Sequence, residues 1–117
     1  MEIINENTNK LLISNVIMAD TFITRLKGLM FKKKLEENTA MLIHPCNMIH
    51  TFFMKFPLDI LFISKEYEVI YVIENMLPGN TSPFIKKAMG VLELPAGTIE
   101  KTNTKKGDFL NIISLRK

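Results

Sequence analysis

Residues 45–63, PCNMIHTFFMKFPLDILFI, set a cysteine, a histidine and an aspartate inside an otherwise apolar run. Pro57 divides that run, because proline gives a sheet no N–H and restricts the backbone of the residue before it. Two short strands are therefore predicted, one from Ile49 onward and one over residues 58–63. In the second, period-2 alternation puts Leu58, Ile60 and Phe62 on one face and Asp59, Leu61 and Ile63 on the other. A carboxylate sharing a face with apolar side chains requires a partner.

Working outward, the polar residues 64–68 turn the chain into a strand over 69–74, which makes a hairpin. An opening hairpin is predicted from strands at 2–5 and 11–17, joined by Glu6-Asn7-Thr8-Asn9. Further strands are read at 40–43, 91–94 and 109–115. One helix is predicted over 21–30, capped by Asp20, with Phe22, Ile23, Leu26, Leu29 and Met30 on one side. Residues 32–39 read as a polar loop. The turn-rich residues 76–84 read as the longest mobile loop, suited to a lid. Thr98 can cap a short second helix reaching about Asn103. The fold class expected is mainly β: a small antiparallel sandwich or barrel-like domain with one packed helix and a short second helix, as a single domain over residues 1–117.

Of the 117 residues, 47% are hydrophobic and 23% charged, an ordinary balance for a globular domain with one core. No apolar run reaches membrane-spanning length and the N-terminus carries no signal-like segment, so a cytoplasmic protein is expected. The single cysteine, Cys46, precludes an intramolecular disulfide. The net charge of +3 comes from dispersed lysines, including Lys32–Lys34, Lys86-Lys87 and Lys105-Lys106. Without basic residues interleaved with aromatics or aligned on a helix, a nucleic-acid partner is not expected. There is no glycine-rich phosphate loop.

Three blocks, ADTFITRLKGLMF at 19–31, PCNMIHTFFMKFPLDILFI at 45–63 and VLELPAGTIEKTNTKKGDFL at 91–110, resemble the family called domain of unknown function 192. The likeness rests on R-x-x-G-L-M, on an aromatic–methionine stretch before P-L-D, and on L-E-L-x-A-G followed by K-x-G-D. Many members look like F-W-M-K-N-T followed by x-I-P-L-D. Here Phe53-Met54-Lys55 runs through Phe56 directly into Pro57-Leu58-Asp59, and the P-C-N and I-H-T portions mark one branch. The resemblance implies a small, mainly β domain without an established activity.

Four residues are candidates for chemistry. Arg25, beside the helix stripe, is the expected partner of Asp59, either as a bridge from helix to sheet or as an anion-recognising group that Asp59 orients. His50 is assigned by alternation to the apolar face with Phe52, Met54 and Phe56, where it is a core residue or, near Asp59, a base. Cys46 is either a small buried thiol or a nucleophile paired with His50. His44, Cys46 and His50 lack the second cysteine or the H-E-x-x-H spacing of a metal site, so neither metal nor cofactor is expected. Glu93 is expected at a rim or paired with lysine. The candidate ligand-binding residues are thus Arg25, His50 and Asp59, and the catalytic candidates Cys46, His50 and Asp59. Three functions follow: a binding module for a small anionic ligand or a peptide, an assembly factor that uses a sheet edge, and a cysteine-dependent hydrolase or acyl transferase.

Overall fold

The computed structural model describes residues 1–19, 38–52 and 54–113. Among them are eight strands and one short helix: β1 (Glu2–Asn5), β2 (Lys10–Ile13), β3 (Asn15–Ala19), β4 (Thr39–Ile43), β5 (Leu58–Ile63), β6 (Val69–Met76), β7 (Gly90–Pro95), α1 (Thr98–Thr102) and β8 (Leu110–Ile113). They form two open sheets, β2-β1-β8 and β3-β4-β7-β5-β6, so the mainly β expectation holds in its sandwich form, with no closed barrel among the described residues. The predicted helix over 21–30, including Arg25, lies outside the described residues.

The larger sheet is buried on both faces. Alternation along β4, β5 and β7 sends Met41, Ile43, Leu58, Ile60, Phe62 and Val91 to one side. Ala40, Leu42, Leu61, Ile63, Leu92 and Leu94 go to the other. The second set meets Ile3, Leu12, Ile13 and Leu110 of the smaller sheet, and this contact is the sandwich core. The first set is covered in part by the irregular segment that contains Ile49, Met54 and Phe56. Every side chain of β5 is consequently buried, which suits its nearly continuous apolar sequence.

The opening hairpin forms, but its second strand does not run to Ile17. The chain breaks at Ser14: β2 pairs antiparallel with β1, while β3 pairs parallel with β4 in the other sheet. Ser14 Oγ and the Asn15 N–H both donate to the Asn38 carbonyl, which fixes the transfer. A parallel pair requires a long connection, and β3 and β4 are far enough apart in sequence, at Asn15–Ala19 and Thr39–Ile43, to allow one. The strand expected from Ile49 is also absent. It reduces to an isolated bridge between His50 and Thr81.

Two glycines explain motif positions. Gly97, at φ 94° before α1, and Gly107, at φ 97° in the turn into β8, hold left-handed backbone that a Cβ disfavours. Beside Gly107, Asp108 is buried. One of its oxygens accepts from Asn5 Nδ2 at 2.8 Å and from the Lys105 N–H at 3.0 Å. Asn5 Oδ1 in turn takes the N–H groups of Asn7 and Thr8, and Asn5 Nδ2 also reaches Thr104 Oγ1. Thr104 contacts Thr102 at 2.7 Å, and Thr102 donates to the Thr98 carbonyl, so one polar chain joins the first turn to α1.

Removing the Asn5 amide leaves several buried groups without partners. Asn5→Ala is expected to destabilise the fold by about 2 kcal/mol in urea unfolding. Asn5→Asp, which sets a second carboxylate against Asp108, is expected to cost more. Equal stability of both variants and the parent would show that the network contributes nothing.

Candidate functional site

Asp59 is the second residue of β5 and faces the sandwich core, as its alternation requires. Its oxygens are used locally: Oδ1 accepts the Asn75 N–H and Oδ2 the Ile99 N–H, both at 2.8 Å. The first bond closes a bulge in which Glu74 and Asn75 of β6 oppose Asp59, with Asn75 at φ 52°. The second satisfies an orphan amide in the first turn of α1, where no side chain of the helix's own N-terminus acts as cap. Asp59 therefore joins β5, β6 and α1 through backbone amides.

Cys46 and His50 occupy a different region, on the outer face of the larger sheet. After the cis His44–Pro45 peptide, residues 46–51 run antiparallel to residues 79–89. The Cys46 N–H donates to the Met89 carbonyl, the Ile85 N–H to Asn47, the Ser82 N–H to Ile49 and the Thr51 N–H to Asn80. Ser82 Oγ receives the Ile49 N–H at 2.9 Å. Thr51, wholly buried, donates its hydroxyl to the Leu77 carbonyl at 2.6 Å and accepts the Asn80 N–H at 2.9 Å. The loop expected to act as a lid is thus fastened along its length to the His50 segment. Nothing in the sequence pattern singles out Thr51, because alternation assigns faces only along a regular strand and this segment holds just an isolated bridge.

This loss of regularity also changes the face assigned to His50. Met54 and Phe56 are buried, but Phe52 is exposed and His50 half-buried, so the four do not share an apolar face. The imidazole stacks on the Phe52 ring, with centroids 4.6 Å apart and planes 28° apart, and Nδ1 accepts the Phe52 N–H at 3.3 Å. The half-buried Cys46 thiol donates to the Met48 carbonyl at 3.3 Å. The structure brings Cys46 and His50 onto one ribbon, whereas Asp59 lies across the sheet and holds two amides. A base needs a nitrogen open to the nucleophile's proton, and Nδ1 already receives an N–H.

Around these residues the ribbon is apolar and exposed: Met48, Phe52, Leu77 and Phe84 are 47%, 43%, 54% and 61% accessible. They are four of the nine large hydrophobic side chains exposed among the described residues, a concentration that marks this edge of the molecule. Lys55, Lys86 and Lys87 are exposed at its two ends. A separate groove of about 360 Å³, lined by Leu12, Pro95, Gly97, Thr98 and Lys101 among others, lies beside β2 and α1 and includes none of Cys46, His50 or Asp59. Glu93 is not at a rim. It is fully buried in β7 between Met41 and Ile60 of the neighbouring strands, on the face it shares with Val91. Among the described residues no helix is long and apolar enough to cross a membrane.

The two packed sheets, the one short helix among the described residues and the structural aspartates define a class of small mainly β domains. The chain belongs to the DUF192 family, described as "Uncharacterized ACR", whose model matches residues 3–112. A UPF0127 protein of Pyrococcus horikoshii is 32% identical over 111 residues, covering 91% of this chain and 94% of that protein. Among solved structures, a protein of unknown function from Novosphingobium aromaticivorans superposes with a TM-score of 0.80. It has 22% identity over 96% of this chain and 84% of its own, a likeness of fold alone. The structure of a putative transcription regulator from Sinorhizobium meliloti gives a TM-score of 0.76 and 26% identity, covering 94% and 89% of the two chains.

Asp59→Ala removes the acceptor of two amide bonds, and a loss of about 3 kcal/mol in folding stability is expected. Asp59→Asn keeps one acceptor oxygen and is expected to lose at least half as much, because its NH₂ would face an N–H. Thermal unfolding of both variants measures this, and a shift for either too small to resolve would contradict the bridging role.

Proposed function

We propose that this protein is a binding module that recognises a peptide or a segment of another protein through the ribbon built from residues 46–52 and 77–85. The observation that carries this reading is the exposure of Met48, Phe52, Leu77 and Phe84 on a backbone tied down by reciprocal hydrogen bonds. Apolar side chains held on a fixed frame lose little conformational entropy when they are covered, which is what makes aromatic anchors effective. Met48 adds adaptable surface beside the rings, and Leu77 adds further apolar area. His50, stacked on Phe52, fixes the ring that would enter a partner. Asp59 supports the sheet beneath and contributes no contact of its own.

A second reading, assembly through a sheet edge, is favoured by β6. It is an eight-residue strand at the end of its sheet, and Ile70, Tyr71, Val72 and Ile73 on it are all half-exposed. Edges of that length accept added strands unless they are blocked.

Panning a random-peptide display library on the immobilised protein tests the choice. Enriched peptides are expected to lose binding by about 30-fold with Phe52→Ala or Phe84→Ala, the effect of an anchor worth about 2 kcal/mol. Val72→Lys on β6 is expected to leave them bound. Loss with Val72→Lys and retention with both phenylalanine variants would transfer the function to the edge.

A further inference from the structure

We propose that the segment bound by the ribbon is acidic as well as apolar, an extended stretch in which carboxylates flank large hydrophobic side chains. This rests on the ribbon being a binding surface, and adds the charge of what it binds. The ribbon's cations stand at its two ends. Lys86 and Lys87 form the turn between Ile85, whose N–H bonds to Asn47, and Met89, whose carbonyl receives the Cys46 N–H. Lys55 follows Met54, whose N–H returns to the Thr51 carbonyl at the opposite end. Between them Phe84 and Met48 lie toward the first end and Phe52 and Leu77 toward the second, with the His50–Thr81 bridge in the middle.

From Asn47 to Thr51 an extended chain spans about 13 Å, room for roughly four or five residues of an extended partner. Such a partner would place apolar side chains over the rings and carboxylates over the lysines at each end. Charge matters here because the two carboxylates of the underlying strands are withdrawn from this surface: Asp59 faces the sandwich core and Glu93 is fully buried in β7. Glu74, three residues before Leu77, is the nearest exposed acid in sequence. Cations at the rim of an apolar patch steer an anionic partner and reject a cationic one.

A charge swap reads this out. The same display selection is run on the parent, on Lys86→Glu/Lys87→Glu with Lys55→Glu, and on Lys10→Glu/Lys101→Glu. The last pair lies on β2 and α1, which pack on the opposite face of the larger sheet from the ribbon, and serves as control. Peptides enriched on the parent are expected to carry Asp or Glu beside Leu, Phe or Trp. They should bind the ribbon swap at least 10-fold more weakly at low salt, and the swap should enrich Lys or Arg instead, while the Lys10 and Lys101 control behaves as the parent.

Enrichment that depends on Phe52 and Phe84 but shows no acidic bias, or no change on swapping, would overturn the inference while leaving the binding function standing. Failure to enrich any peptide would remove both. The other surface these features suit is an anionic bilayer, so sedimentation with phosphatidylserine/phosphatidylcholine vesicles is measured in parallel. Vesicle binding that Lys86→Glu/Lys87→Glu abolishes, without peptide enrichment, would replace the peptide with a membrane.

Discussion

A carboxylate on the core face of a six-residue apolar strand is costly to bury, and the fold here is arranged to receive it. Asp59 accepts one amide from a bulge in the neighbouring strand and one from the first turn of a five-residue helix. Neither feature is stable alone: a left-handed Asn75 in an edge strand and an uncapped short helix both need an acceptor. By serving both, a single side chain fixes the register of β6 on β5 and the entry into α1. Charge-assisted bonds to backbone N–H groups are stronger than neutral ones, which makes this a joint rather than an incidental contact.

The second aspartate, Asp108, acts in a comparable way beyond the other end of α1. It secures the turn before β8 and takes the Asn5 amide, and Asn5 organises the first hairpin turn. The aspartates and glycines of the P-L-D, L-E-L-x-A-G and K-x-G-D blocks are therefore explained by backbone geometry: two buried aspartates that accept backbone N–H groups and two glycines at positive φ. Such residues identify a fold. They do not by themselves define what it binds, and the exposed ribbon, carrying Cys46, His50 and Phe52, lies apart from them.

That separation bears on chemistry as much as on recognition. Asp59, which would orient a histidine base, spends its oxygens on amides across the sheet from His50. The thiol and the imidazole have bonds to the backbone of their own segment. What the region offers in geometric terms is surface: two rings, a leucine and one thioether on a firmly tied ribbon, with lysines at its ends. The fastening of residues 77–83 by Thr51 and Ile49 makes that surface a fixed platform instead of a cover.

The mainly β character, the alternation of Leu58 to Ile63, the hairpin into β6 and the short helix after Gly97 were all legible in the sequence, because each follows from residue type and local periodicity. So was the need of Asp59 for a partner, since desolvation of a carboxylate is a local fact. Which partners it found was not, for Asn75 and Ile99 are 16 and 40 residues away and offer only backbone N–H groups, which no side-chain pattern announces. The break at Ser14, the burial of Thr51 and the exposure of Phe52 were likewise decided by contacts with Asn38, Leu77 and Asn80. Alternation predicts a face only where a ladder forms, and here distant hydrogen bonds determined where it did.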